Sequence, residues 1–245
     1  MTGDQVLLIL AIGSFASIVK STAGFGYPLL MLPILSQIIS VVDAVLLIAP
    51  SNLFLNLGII FKLREHAKDA TTLRVFNITG LLGAAVGTLV LPTIPTRTFQ
   101  ILLFAILVAF LINRMSGLDF KMTDRSAHRF APVVGLTAGI FQGASGASGP
   151  IVTPWFLSVN MKRDTFIFSI ASFFAISQVG QIVVAGISEL YTPVTIFVGL
   201  ALIPIGVIAL PLGALIRERI SVVAFERGVI GLLTLSATAL LIRIL

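Results

Sequence analysis

The sequence contains no cysteine and few charged residues. Without cysteine the chain has no disulfide, no thiolate metal ligand and no thiol nucleophile. Only 11% of its 245 residues are Asp, Glu, Lys or Arg, whereas roughly a quarter is usual in soluble domains. Its two histidines, His66 and His128, lie outside the long apolar runs. These shortages exclude a disulfide-stabilised secreted domain and argue against a soluble enzyme.

Hydrophobic residues instead make up 57% of the chain. A soluble fold must leave much of its surface in water and cannot bury so many apolar side chains. Apolar runs long enough to cross a bilayer as helices recur along the chain. They lie at 41–61, 75–92, 98–113, 165–187, 193–214 and 225–244. We therefore predict an all-α integral membrane protein, with no nucleic-acid partner, cofactor or metal.

Two further apolar regions are interrupted by glycine. Region 5–39 is broken at Gly24-Phe25-Gly26-Tyr27-Pro28, and region 131–159 is broken between Gly143 and Pro150. At about 1.5 Å per helical residue, each region is too long for one straight crossing and too short for two. Each is either a broken hairpin that enters and leaves by one membrane face or a single distorted crossing.

The basic residues favour the hairpins. With two hairpins, most of the 16 Lys and Arg residues lie on one side of the membrane, whereas single crossings move those after position 160 to the other side. Cytoplasmic loops of membrane proteins are enriched in Lys and Arg. We therefore expect a multi-pass membrane protein, with the basic loops 62–74 and 114–130 in the cytoplasm.

The two broken regions also resemble each other when they are aligned with an offset of 122 residues. The alignment matches Gly13 with Gly135, Gly24 with Gly146, and Pro28 with Pro150. Three full spans follow each hairpin, and an odd number of crossings gives the two copies opposite orientations in the membrane. The sequence thus predicts two inverted repeats, 1–113 and 131–245, joined by a cytoplasmic linker at 114–130.

The glycine breaks predict a binding site. Lipid cannot satisfy the backbone groups that a broken helix exposes, and a proline after each break suits the first turn of a new helix. Two helix N-termini, with their positive dipole ends, would then meet at the midplane between the repeats and form an anion site. The residues expected to line it are Lys20, Ser21, Thr22, Gly24, Gly26, Tyr27, Asn52, Asn56, Gln142, Ser145, Gly146, Ser148, Gly149 and Gln178.

Several of these polar residues have an alternative interpretation. Lys20 is the one basic residue well inside an apolar run, which favours a functional role, but it could also reach a membrane surface or bond loop carbonyls. Asn52 and Asn56 lie on one face of the helix after the first hairpin, and these residues could equally form hydrogen bonds between helices or line the site. The same two alternatives apply to the polar residues of the corresponding helix in the second half, Ser172, Ser177, Gln178 and Gln181.

The two glycine-rich breaks resemble those of the TauE/SafE family of sulfite exporters. The matching segments are Gly24-Phe25-Gly26-x-Pro28-Leu29 and Gly143-Ala144-Ser145-Gly146-x-x-Gly149-Pro150. Chain length and the two four-segment halves are similar too, so the resemblance covers nearly the whole chain. It implies transport of a sulfur-containing anion such as sulfite, sulfoacetate or thiosulfate across the cell inner membrane. Export would run with the inside-negative membrane potential, and the transporter could be a homodimer.

Two other functions remain open at this point. An anion channel could use the same fold. An intramembrane serine hydrolase could use Gly143-Ala144-Ser145-Gly146, which is similar to the Gly-x-Ser-Gly pattern of rhomboid proteases. That serine needs a histidine base, and both histidines lie in predicted loops, so we expect a transporter and not an enzyme.

Overall fold

The computed structural model describes residues 1–23, 26–70, 72–116, 122–159 and 161–219, with a few helical positions between 230 and 242. In chain order the α-helices of these residues are α1 (Gly3–Ala23), α2 (Tyr27–Leu35), α3 (Val41–Lys62), α4 (Leu73–Val90), α5 (Thr96–Ser116), α6 (Asp124–Ser145), α7 (Gly149–Ser158), α8 (Arg163–Ile187) and α9 (Pro193–Arg219). Short 3-10 helices cover Arg64–Asp69 and Leu91–Thr93. The predicted span at 225–244 lies largely outside the described residues.

Four helices are long and apolar enough to cross a bilayer. Within the described part of the chain they are Gly3–Ser21, Val41–Lys62, Leu73–Thr93 and Asp164–Ile187. Two shorter apolar helices cover Thr96–Ala109 and Pro193–Ala209. The chain is therefore an all-helical, multi-pass membrane protein.

The second broken region starts earlier than the sequence suggested. Helix α6 begins at Asp124 and not near 131, because Thr123 caps it: the Thr123 hydroxyl oxygen accepts the backbone N–H of Ser126 at 3.3 Å. Its first two turns are polar and therefore lie outside the apolar run from which the start near 131 was predicted. Much of the predicted linker at 114–130 is consequently helical.

Each broken region consists of one long and one short helix. Helices α1 and α6 have 21 and 22 residues, whereas α2 and α7 have 9 and 10. A hydrogen bond closes the base of each pair: Gln5 Nε2 donates to the Ile38 carbonyl at 3.1 Å, and the Met122 N–H donates to the Ser158 carbonyl at 2.8 Å. The beginning and the end of each broken region therefore lie side by side, as in a hairpin.

Contacts divide the chain into two units. Unit 1 comprises Met1–Ser51, Ile94–Met115 and Tyr191–Leu245, and unit 2 comprises Asn52–Thr93 and Ser116–Leu190. In unit 1, α1 packs on α9. A Cβ at Gly13 would fall on the side chain of Leu202, so the two helices approach closely there.

In unit 2, α4 and α6 approach through glycines on both helices. A Cβ at Gly83 would fall on the carbonyl oxygen of Leu136, and one at Gly139 would fall on the carbonyl oxygen of Gly80. Glycine allows such backbone contact because it has no side chain. The α4–α6 pair is therefore held backbone against backbone.

An aromatic cluster lies beside this pair and fixes α4 against α7 and α8. Phe76 on α4 is fully buried, with its ring centroid 4.9 Å from that of Phe156, 5.1 Å from that of Phe173 and 5.8 Å from that of Trp155. Stacked and tilted aromatic pairs at these distances add stabilisation beyond their buried area. The short helix α7 is thereby packed on the rest of unit 2.

Candidate functional site at the helix breaks

Both helix breaks contain a glycine with left-handed backbone. Gly26 precedes α2 with φ of 100°, and Gly146 follows α6 with φ of 66°. Residues with a Cβ rarely adopt these angles. Pro28 and Pro150 lie in the first turn of the helices that follow, where no backbone N–H is required. The predicted site residue Gly24 lies outside the described residues.

The short legs determine how far each helix start lies from the base of its hairpin. Helix α7 has 10 residues and α2 has 9, which correspond to about 15 Å and about 14 Å. A bilayer core is about 30 Å thick. Each N-terminus therefore lies about half a core thickness from the closed base.

In unit 1, the hydroxyl groups beside the first break are engaged by the protein. Ser21 Oγ donates toward the carbonyl oxygens of Ile18 at 2.9 Å and Ala209 at 3.0 Å. The Tyr27 hydroxyl is 3.0 Å from Ser51 Oγ. These contacts tie the end of α1 to α9 and the start of α2 to α3.

Lys20 lies in the last turn of α1, directly before the first break. Its side chain is buried, with 2% of its surface exposed. A cation at this depth of an apolar helix is costly and is a functional candidate for that reason. The side chain of Thr22, another predicted site residue, lies outside the described part.

In unit 2, the serine hydroxyls beside the second break also have protein partners. Ser145 Oγ donates to the Phe141 carbonyl at 2.7 Å and accepts the N–H of Ala147 at 3.3 Å. Ser148 Oγ donates to Gln142 Oε1 at 2.8 Å. Both hydroxyl protons are thus directed at oxygen atoms of the protein, which makes the two serines structural in this state.

Gln142 presents donors at the start of α7. Its Oε1 accepts from Ser148, the residue that immediately precedes α7 at Gly149. Its Nε2 is buried and has no hydrogen-bond partner among the described residues. The Oε1 and Nε2 atoms of Gln142 are bonded to the same carbon atom. Because Oε1 contacts the residue before α7, the N–H groups on Nε2 also lie beside the N-terminus of α7.

A second buried amide pair lies between α3 and α8 within unit 2. Asn56 Nδ2 donates to Gln178 Oε1 at 3.2 Å, and the two side chains are 1% and 0% exposed. Gln178 Nε2 has no partner within the described part of the chain. Asn52, one turn before Asn56, is buried as well. The interhelical hydrogen bond expected of such residues is present, and a donor remains on Gln178.

Gln181 completes the cluster and is absent from the predicted site. Its Nε2 donates to the carbonyl oxygens of Gln142 at 3.3 Å and Gly143 at 3.1 Å, at the end of α6, where helix carbonyls lack helical partners. Gln181 follows Gln178 by one helical turn on α8. This spacing in the sequence indicates that both residues lie on the same face of the helix. The cluster thus joins α8, α6 and α7.

The titratable residues that hydrolysis would need lie elsewhere. His66 Nε2 is 3.9 Å from Asp164 Oδ2, and His128 lies near the start of α6, about 25 Å along the helix from Ser145. The described residues contain no group of three His, Cys, Asp or Glu side chains that could hold a metal ion. The break in unit 2 therefore offers amide donors and not a base or metal ligands.

Comparison with known proteins identifies the family of the chain. The family model of the sulfite exporter TauE/SafE matches residues 9–240. No curated protein and no solved structure matches the chain. The chain therefore belongs to the sulfite exporter TauE/SafE family, whose members are membrane transporters of sulfur-containing anions and not enzymes.

Proposed function

We propose that the protein exports a small sulfur oxyanion and binds it at the second helix break, against the N-terminus of α7. The observation that carries this proposal is the pair of buried donors Gln142 Nε2 and Gln178 Nε2, neither of which has a partner among the described residues. A buried donor without an acceptor costs about 1–3 kcal/mol. An oxyanion supplies several acceptor oxygens and would remove that cost at both amides.

The helix start supports an anion at the same place. The N-terminus of α7 carries the positive end of its dipole, equivalent to roughly half a charge. If the base of the hairpin lies at a membrane face, this end is about 15 Å deep, near the bilayer midplane. Electrostatic attraction is strong there because the surroundings have a low dielectric constant.

The first hairpin contributes an anion-binding element of its own in this proposal. The N-terminus of α2 follows Gly26, and Lys20 is buried one turn before the break in the other leg. The cation offsets the charge of the passing anion, while the surrounding backbone supplies further polar groups. Gln142 occupies the position equivalent to Lys20 in the second repeat, so one break supplies a charge and the other supplies neutral donors.

Contacts in the structure support the proposed inverted repeats. Asn56 and Gln178 are separated by 122 residues, the same offset that aligns the repeats. When equivalent positions of two related halves touch each other, they lie on the symmetry axis between the halves. If the repeats are inverted as proposed, their symmetry axis would pass between α3 and α8, beside the candidate site.

The proposal is tested by a ligand screen on the purified protein. Sulfite, thiosulfate and sulfoacetate should raise the thermal midpoint, because ligand that binds only the folded state stabilises it. Gln142→Leu should weaken sulfite binding about tenfold or more by removing the donors beside α7. Gln100→Leu, which removes another buried glutamine, on α5, is the matched control. Equal sulfite affinity in the two variants would contradict the site, and no response to any sulfur anion would contradict the function.

A further inference from the structure

Gln181 holds a buried hydrogen-bond acceptor in a fixed orientation. Its Nε2 donates to two carbonyl oxygens at the end of α6, so turning the amide around would set oxygen against oxygen. Oε1 consequently faces away from those carbonyls, and it is buried without a donor among the described residues. A site for a fully deprotonated oxyanion has no use for an acceptor, since both partners carry only lone pairs.

The acceptor belongs to the same cluster as the two unpaired donors. Gln181 bonds the backbone of Gln142 directly and lies one helical turn from Gln178 on α8. The cluster therefore offers donors on Gln142 and Gln178 and an acceptor on Gln181. An oxyanion that carries one proton has oxygens for the donors and an O–H group for the acceptor.

We propose that this site takes its oxyanion in the singly protonated form, with Gln181 Oε1 accepting the hydrogen bond from the anion's O–H. The inference rests on the binding site proposed at the second break. For sulfite the selected species is bisulfite, HSO₃⁻. A site built to pair a polar hydrogen discriminates against the analogue that lacks it. A monoanion is also less costly than a dianion to bring into the bilayer interior.

Among the described residues, the helix segments that surround the cluster carry no charged side chain. The segments around the cluster, 52–61 on α3, 75–93 on and after α4, 130–158 on α6 and α7, and 165–188 on and after α8, contain no Asp, Glu, Lys, Arg or His. The titratable and charged groups of these elements lie at helix ends or in the adjoining turns, and they are Lys62, Arg74, Asp124, Arg125, His128, Arg129, Arg163, Asp164 and Glu189. Within these segments, protonation of the ligand is therefore the expected source of pH dependence in binding. Lys20, which is proposed to act on the anion from the first break, is controlled with Lys20→Arg: arginine stays charged from about pH 6 to about pH 9, so the pH dependence should persist, and its loss would overturn the proposal.

Equilibrium binding of radiolabelled sulfite to the purified full-length protein tests the proposal between about pH 6 and about pH 9. Sulfite takes up one proton near neutral pH, and above that point the bisulfite fraction falls about tenfold per pH unit. The apparent Kd for total sulfite should rise by the same factor. A Kd that stays constant or falls as the pH rises would overturn the proposal.

Two variants distinguish the role of the acceptor on Gln181 from the role of the donors. Gln181→Met removes the acceptor and should flatten the pH dependence as well as weaken binding at about pH 6. Gln178→Met removes a donor and should weaken binding at every pH while the tenfold slope remains. A Gln181→Met protein that keeps the full slope would contradict the role of Gln181. If this variant does not fold, the slope of the unaltered protein still decides.

A double variant, His66→Gln with His128→Gln, controls for protein titration, because these are the only histidines in the sequence. The slope should persist in it, and loss of the slope would overturn the proposal. Sulfite binding with no slope leaves sulfur-anion export standing and refutes the selection of the protonated form. No sulfite binding at any pH counts against both.

Discussion

Residue type at a helix break does not reveal which donors a ligand can use. Ser21, Ser145 and Ser148 were expected to bind an anion because they carry hydroxyl groups. Each hydroxyl instead donates a hydrogen bond to an oxygen atom of the protein. Serine side chains often form hydrogen bonds of this kind with nearby groups of their own chain. Glutamine has two N–H groups, and Gln142 and Gln178 retain donors after their own contacts are made.

Lys20→Ala should weaken sulfite binding about tenfold or more, equivalent to about 1.4 kcal/mol. The buried cation is lost from the end of α1, and a low dielectric makes its attraction for an anion large. Lys62→Ala removes an exposed cation at the end of α3 and is the matched control. The measurement is sulfite binding, with the thermal midpoint of each variant showing that the fold is intact. Unchanged affinity in a folded Lys20→Ala protein would exclude the anion-binding role proposed for Lys20 at the first break.

At the scale of helices, the glycines of α4 and α6 set how unit 2 packs. The sequence shows a Gly83-x-x-x-Gly87 pattern, which indicates close packing but not the partner helix. In the structure the partner is α6, and Gly139 and Gly143 approach the backbone of α4 as closely as Gly83 and Gly87 approach that of α6. The second break follows directly on this contact, so the candidate site lies at the end of a backbone-to-backbone helix pair.

Gly139→Ala should destabilise the protein, by about 1–3 kcal/mol, because the new Cβ falls on the Gly80 carbonyl. Gly186→Ala, near the end of α8, adds the same methyl group where nothing lies within 4 Å, so it should be neutral or slightly stabilising. Thermal midpoints in detergent compare the two. Equal midpoints would show that α4 and α6 are not in backbone contact.

The positions of the helix breaks could be predicted from sequence, whereas the shape of the hairpins could not. Gly26 and Gly146 indicate the positions of the breaks, because only glycine readily adopts the backbone angles found there. The unequal legs were not predicted, since the polar first turns of α6 carry no apolar signal. Gln181 was left out of the predicted site because its partners are main-chain carbonyls 38 and 39 residues away, and its spacing from Gln178 indicates only a shared helix face.

At the scale of the whole molecule, the family of the chain is known and its architecture is a proposal. Family membership makes the chain a transporter of sulfur anions. The inverted repeats are a proposal, supported by the aligned glycine breaks and by the Asn56–Gln178 contact at the repeat offset. Two hairpins, each followed by three spans, would place the basic loops together in the cytoplasm.

Cysteine labelling of intact cells tests this topology on the naturally cysteine-free background. Single cysteines in 62–74, 114–130 and 160–163 should all be shielded from an impermeant reagent added outside the cell and should react after lysis. Each variant's transport activity controls for folding. Labelling of 160–163 from the outside, with the other two segments shielded, would refute the second hairpin and with it the inverted repeats.

Sulfite efflux from proteoliposomes that contain the purified protein tests whether it is a sulfur-anion carrier. Efflux should saturate with sulfite concentration, accelerate when the interior is made negative, and fall about tenfold or more in Gln142→Leu while Gln100→Leu remains normal. Efflux no faster than from protein-free liposomes, or single-channel conductance steps in place of saturable flux, would contradict a carrier that binds a sulfur oxyanion at the second helix break.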